Sequence, residues 1–138
     1  MYIYMDITDD ETTFLNKLTN HNLHYHKTEN KYEWYDFHSI NGRTLLELKT
    51  RKYTTNDFKE IYLNKSKLAL AELFLMNNDA DNIVFIFELT DETYYLIYEL
   101  GDFLTFKTTT SYNQTVALIP LERCKKSFNS LIQYLRNK

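Results

Sequence analysis

Asp36 and the run Glu47-Leu48-Lys49 hold the residues whose types and spacing could do chemistry together. Side chains alternate faces along a strand, so over 44–51 Leu45, Glu47, Lys49 and Arg51 share one face while Leu46 and Leu48 take the other. The same alternation puts Trp34, Asp36 and His38 on one face of the preceding run. Asn41-Gly42 between the two runs is a strong hairpin signal, because both residues tolerate the positive φ of a type I′ turn. Strands at about 32–39 and 44–51 are therefore expected to be antiparallel neighbours, which lets Asp36 approach Glu47. Two carboxylates converging in a partly apolar sheet repel each other unless a divalent cation joins them, and hard oxygen ligands suit Mg²⁺. Lys49 beside them would hold a water or a phosphate oxygen. The competing reading is a solvated stripe, with Glu47 and Lys49 paired to cross-strand charges on an exposed face.

An acid two residues before a lysine is common: Glu29-Asn-Lys31 and Asp57-Phe-Lys59 have the same form as Glu47-Leu-Lys49. Context separates them. Only the third lies in an apolar strand run, follows Asn-Gly and has an acid at matching facing on the strand before it.

At these residues the sequence resembles the PD-(D/E)XK nuclease superfamily, whose motif is an Asp on one strand and Asp/Glu-x-Lys on the next. The resemblance covers the first helix to about Tyr98. It departs from the family's name at Tyr35, where proline would stand. It implies an α/β fold in which a mixed central sheet is flanked by helices around a restriction-endonuclease-like αβββαβ core. It also implies Mg²⁺, with Mn²⁺ as a substitute, held by Asp36, Glu47 and the backbone carbonyl of Leu48, with Lys49 orienting the attacking water. Glu11 best matches the glutamate that the family often adds from its first helix, although a helix N-terminus favours an acid there anyway. Lys65 or Lys67 would supply the basic residue at the start of the helix after the motif. The activity implied is Mg²⁺-dependent hydrolysis of DNA phosphodiesters. A homodimer is expected, since a small nuclease tends to need a second copy to cut both strands. The alternative is a non-catalytic module that binds nucleic acid or protein on the same scaffold.

The elements that must position these residues follow from periodicity. Thr8-Asp9-Asp10-Glu11 offers caps for a helix over about 9–20 carrying Phe14, Leu15 and Leu18. Leu23-His-Tyr-His begins a first strand. Lys52 to Asp57 reads as a loop, and Asn64 or Ser66 could cap a helix over 65–77 whose apolar residues go nearly all round, so that it should be buried on two sides. Ile83 to Phe87 and Tyr94 to Tyr98 form a strand pair across Thr90-Asp-Glu. Phe103 to Thr108 and Thr115 to Ile119 are expected to extend the sheet. Ser127 to Leu135 closes the described pattern as an amphipathic helix.

Length and composition bound the rest. At 138 residues, 43% apolar and 16% aromatic, the chain is expected to be one domain with a sizeable core. No run approaches the roughly 18 apolar residues that would cross a bilayer, and the N-terminus lacks an export signal. A cytoplasmic location without membrane contact is expected. The abundance of Asn, Lys, Tyr, Ile and Phe suggests an AT-rich genome, a phage or viral one included. One cysteine, Cys124, permits no intrachain disulfide and no zinc pair. His21, His24, His26 and His38 lack partners at zinc spacing and read as solvated or hydrogen-bonded residues. Two glycines leave no room for a phosphate-cradling Gly-rich loop.

The net charge of −3 argues against a protein that coats nucleic acid, but it is unevenly spread. Residues 1–42, 43–67, 68–120 and 121–138 carry −4, +4, −7 and +4. The basic stretch from Arg43 to Lys67, with Arg51, Lys52, Lys65 and Lys67 as its expected contacts, should lie beside the carboxylates and face a DNA backbone.

Overall fold

The structure, a computed structural model, describes residues 9–30 and 33–138. Thr8 and the expected start of the second strand at 32 lie outside the described residues. Helix α1 (Asp9–Asn20) is followed by β1 (Tyr25–Lys27), β2 (Phe37–Ser39), β3 (Thr44–Thr50) and β4 (Glu60–Asn64). Helix α2 (Lys65–Met76), β5 (Asn82–Glu88) and β6 (Thr93–Ile97) come next. The one-turn α3 (Asp102–Thr105), β7 (Thr108–Ser111), β8 (Gln114–Pro120), β9 (Lys125–Lys126) and α4 (Phe128–Arg136) complete the order. A six-stranded sheet runs β1-β2-β3-β5-β6-β9, and a separate sheet runs β4-β8-β7. Only β3 and β5 pair in parallel within the six-stranded sheet. A parallel pair needs a long crossover, and α2 lies within it. The result is a mixed central sheet flanked by helices, with α1, β1–β3, α2 and β5 in the αβββαβ order and β4 inserted.

β3 shows the two-residue period at work. Leu46 and Leu48 pack with Phe14, Phe37 and Leu131 in the layer of α1 and α4. Leu45, on the opposite face, packs in the layer that also holds Phe85, Leu68 and Ala71 of the sheet and α2, and Ile61 and Ile119 of the second sheet. Glu47 and Lys49 share the face of Leu45 and so lie between the central sheet and α2. Buried apolar side chains on both faces each contribute roughly 1.5–3 kcal/mol relative to exposure. That burial, more than propensity, holds a strand of seven residues in place.

Several expected details are corrected. β2 begins at Phe37 rather than near 32: 33–36 is bent, and Asp36 still reaches β3 by donating its N–H to Leu46 O at 2.9 Å. The Asn41-Gly42 hairpin forms, but not by a type I′ turn. Gly42 alone carries the positive φ, at 72°, and donates its N–H to Ser39 O, while Asn41 Oδ1 accepts from Ser39 Oγ at 2.7 Å and Arg43 N at 3.0 Å. Two successive left-handed residues occur instead at Tyr112 and Asn113, joining β7 to β8. β4 forms between the expected loop and the expected helix, in a stretch to which periodicity assigned no element, because Ile61 and Leu63 are buried on one face while Tyr62 points out. Residues 103–108 do not extend the central sheet: Gly101, with φ 93°, turns the chain into α3. Residues 115–119 are a strand, but of the second sheet. α2 is buried on one side only, through Leu68 and Ala71, and leaves Leu70, Leu73 and Met76 exposed.

Candidate active site

Three elements bring the acids together. β3 carries Glu47, whose side chain is 1% exposed, so the solvated stripe is excluded for it. Asp36 stands just before β2, and its Oδ2 accepts from the backbone N–H of Leu48 at 2.8 Å, which fixes the carboxyl against the motif strand. Glu11 comes from the first turns of α1. Lys27 of β1 reaches both, with its Nζ 3.2 Å from Glu11 Oε2 and 3.8 Å from Asp36 Oδ1.

Two lysines converge on Glu47. Lys49, two residues along the strand, places its Nζ 3.2 Å from Glu47 Oε2. Lys67, in the first turn of α2, donates to the same oxygen and also to Trp34 O at 3.4 Å. The second oxygen, Glu47 Oε1, is buried and is reached by neither lysine nor any backbone N–H, which leaves a protonated Asp36 as the donor at hand. A buried carboxylate oxygen without a donor carries a desolvation cost of about 1–3 kcal/mol, more for a charge.

The electrostatics follow from burial at close quarters. Asp36 is pushed up to about 8 by burial first, then by the negative charge of Glu47 and a hydrogen bond that only protonated Asp36 can donate to it; the Leu48 N–H opposes the shift. Burial holds the Lys49 ammonium below its ordinary value, with Glu47 pulling it back up and Lys67 pushing it further down. Without a cation, the cluster of acids is easier to fold with a proton on Asp36 than with both carboxyls ionised.

The donor set suits a hard divalent cation. Mg²⁺ is usually held by one or two carboxylates with waters and substrate phosphates filling the other positions. The free Oε1 of buried Glu47 and the raised proton affinity of Asp36 both describe a site where added positive charge is favourable. Among the described residues, no group of three or more His, Cys, Asp or Glu side chains could hold a metal ion. The carboxylates that could share a cation are Asp36 and Glu47.

Of the other residues singled out in the sequence, Glu11 lies at the cluster through Lys27 and through its own side-chain hydrogen bond with Asp36. Lys65 is half-buried at the start of α2, Arg51 donates to Thr50 O at 3.0 Å, and Lys52 is exposed in the loop after β3. Arg43, at the other end of the basic stretch, is bound to Asp81 at 2.7 Å and to Asn78, and takes no part in the cluster. The four histidines form no metal group among the described residues. Burial pushes the Cys124 thiol up to about 12, so it is not a nucleophile at neutral pH. Sequence reasoning missed Lys27. Its signal was alternation alone, which sets Lys27 two residues from half-buried Tyr25 and opposite exposed His26.

No protein-family model matches the chain, and no curated protein matches it. Among solved structures it is similar to that of Hjc from Archaeoglobus fulgidus, described as a Holliday junction resolvase from an archaeal hyperthermophile. The TM-score is 0.47 at 16% identity, covering 80% of this chain and 93% of that one. Among the described residues, no helix is long and apolar enough to cross a membrane.

Proposed function

We propose that this protein is a Mg²⁺-dependent deoxyribonuclease. The observation that carries the reading is the buried Glu47 carboxylate, tied at one oxygen by two lysines and buried without a partner at the other, beside Asp36. Asp36 and Glu47 would hold the cation with the Leu48 carbonyl, and Glu11 would stand behind them through Lys27. The chemistry that Mg²⁺ supplies when bound is neutralisation of charge on the scissile phosphate and acidification of a water. Lys67 keeps Glu47 in one orientation and leaves Oε1 available. Lys49, the more exposed of the motif pair, orients the attacking water, and its lowered proton affinity makes it readier to exchange a proton with that water. Mn²⁺ is the natural substitute, and a homodimer would place two such sites on opposite strands of a duplex.

The test is cleavage of plasmid, linear, single-stranded and branched DNA with Mg²⁺ or Mn²⁺, alongside calorimetric Mn²⁺ titration. Lys49→Ala and Asp36→Ala should each abolish cutting in folded protein, and Glu47→Gln should abolish Mn²⁺ uptake. Intact DNA in every arm, with no Mn²⁺ uptake, would refute the reading. One observation favours a non-catalytic binding module instead: two ammonium groups already neutralise Glu47, so the cluster is charge-balanced without a cation. That alternative requires DNA binding indifferent to Mn²⁺ and to Glu47→Gln.

A further inference from the structure

Beyond the carboxylates, the loop after β3 and the second sheet build a surface with its own chemistry. A groove of about 310 Å³ is lined by Arg51, Tyr53, Phe58, Glu60 and Tyr62. A larger one of about 910 Å³ shares Phe58 and Glu60 with it, and continues past Lys59 to Lys107 and Arg123. The two adjoin at those shared side chains and are treated together as one track.

Two of its aromatic rings are held out to solvent. Phe58 is 56% and Tyr62 49% exposed, and Phe58 stands edge-on to Tyr53 with ring centroids 4.7 Å apart. Farther along, the Arg123 guanidinium lies 4.9 Å from the Phe106 ring. The track's ionic lining is four bases, Arg51, Lys59, Lys107 and Arg123, against two acids, Glu60 and Glu122, with Arg123 also paired to Asp102 at 3.6 Å, in a chain of net charge −3. Lys107 is the one base between residues 68 and 120, a stretch with eight acids, and it lines this groove. Exposed rings among cations match one ligand chemistry well: bases with free π-faces on a phosphate backbone. A duplex keeps those faces stacked inside and cannot offer them.

The track also starts at the proposed active site. The Arg51 N–H donates to Glu88 O at 2.9 Å, which carries the β3 ladder one residue past Thr50. Alternation then sets Arg51 on the side of Glu47 and Lys49, roughly 7 Å beyond Lys49 at 3.3 Å per residue.

We propose that this track binds unpaired nucleotides of a DNA strand, with Phe58 and Tyr62 as stacking platforms and Lys59, Lys107 and Arg123 on the phosphates. The inference rests on the nuclease reading only for its consequence, that the preferred substrate carries single-stranded nucleotides next to the scissile phosphate. Binding itself requires no catalysis.

Fluorescence anisotropy in EDTA tests it, with a labelled oligothymidylate and a blunt duplex of equal length. The single strand should bind tighter than the duplex. Phe58→Ala with Tyr62→Ala should weaken single-strand binding about 30-fold or more, from stacking losses of about 1–3 kcal/mol at each of the two platforms, and leave the duplex unchanged. Phe58→Leu with Tyr62→Leu, which keeps bulk without a π-face, should weaken it in the same direction and guards against misfolding. Lys59→Glu with Lys107→Glu should flatten the salt dependence of single-strand binding. Equal affinity for the two DNAs, or single-strand affinity unmoved by the aromatic variants, overturns the proposal, as it would if the groove served a protein segment. Adding Mg²⁺ separates the two readings. Single-strand preference without cutting refutes the nuclease and supports the track, whereas cutting without that preference does the reverse.

Discussion

Replacing Asp36 by Asn should remove the part of the wild type's loss of stability with rising pH that comes from ionising this carboxyl. The Asp36 carboxyl is raised from 3.8 to about 8 in the fold, by burial and by Glu47. A raised folded-state pKa means that the native state binds the proton more tightly than the unfolded chain. The contribution is fully present below about pH 4 and is lost as pH rises to about 8. About four powers of ten in proton affinity, at 1.36 kcal/mol each, set a ceiling of about 5 kcal/mol. The side chain is 22% exposed, so solvent screening lowers the expected loss to about 2–4 kcal/mol. The assay is urea unfolding in EDTA at pH 5 and pH 9, followed by the fluorescence of Trp34, the single tryptophan, which is buried. Wild type should lose about 2–4 kcal/mol more than Asp36→Asn between the two pH values, with similar m-values. Asn is neutral at both, so other titrating groups cancel in the difference. Parallel curves would show that Asp36 and Glu47 do not share a buried environment.

Lys67→Ala removes one of the two ammonium groups on a buried carboxylate. With Lys49 still in place the cost should be about 2 kcal/mol, below the 3–5 kcal/mol of a wholly unpaired buried charge, as read from the urea midpoint at pH 7. Gly42→Ala should cost about 1–2 kcal/mol from backbone strain alone, because φ is 72° and no atom lies within 4 Å of the added Cβ. Gly42→Asn, which tolerates that conformation better, should lose less in the same unfolding experiment.

The elements that sequence periodicity revealed are those whose pattern is long or doubly signalled. α4 has four apolar residues at helical spacing and a Ser127 cap that accepts from Ser130 N at 3.0 Å. β5 and β6 are unbroken β-rich runs across a short turn. β4 escaped because Ile61 and Leu63 give only two inward positions, between a polar loop and the apolar run of α2. Which sheet β8 would join could not be read from its own residues, because its partner, β4, is more than fifty positions earlier. The all-round apolar pattern of α2 was read as burial on two sides, yet periodicity reports what a helix could bury and not how many neighbours arrive. At the site, alternation placed Glu47 and Lys49 on one face, but the burial of Glu47 depends on α2 and β5. Lys27 gave no signal beyond alternation, because a lysine in a three-residue strand otherwise looks like any surface lysine.

The pairing of Glu47 with Phe85 and Lys49 with Phe87 has a kinetic consequence. Asp36 and Glu47 meet within one hairpin, a short loop closed at small entropic cost, whereas β5 must return from nearly forty residues away. A nascent hairpin therefore brings the acids together in water, where their charges are screened and a cation gains little by joining them. The low-dielectric pocket arrives only when β5 slots in beside β3 and α2 closes over the top. On the proposed reading, competence to gather a cation is thus expected to appear in the last, non-local step of folding, and a half-made chain would carry both carboxylates without the pocket that the chemistry needs.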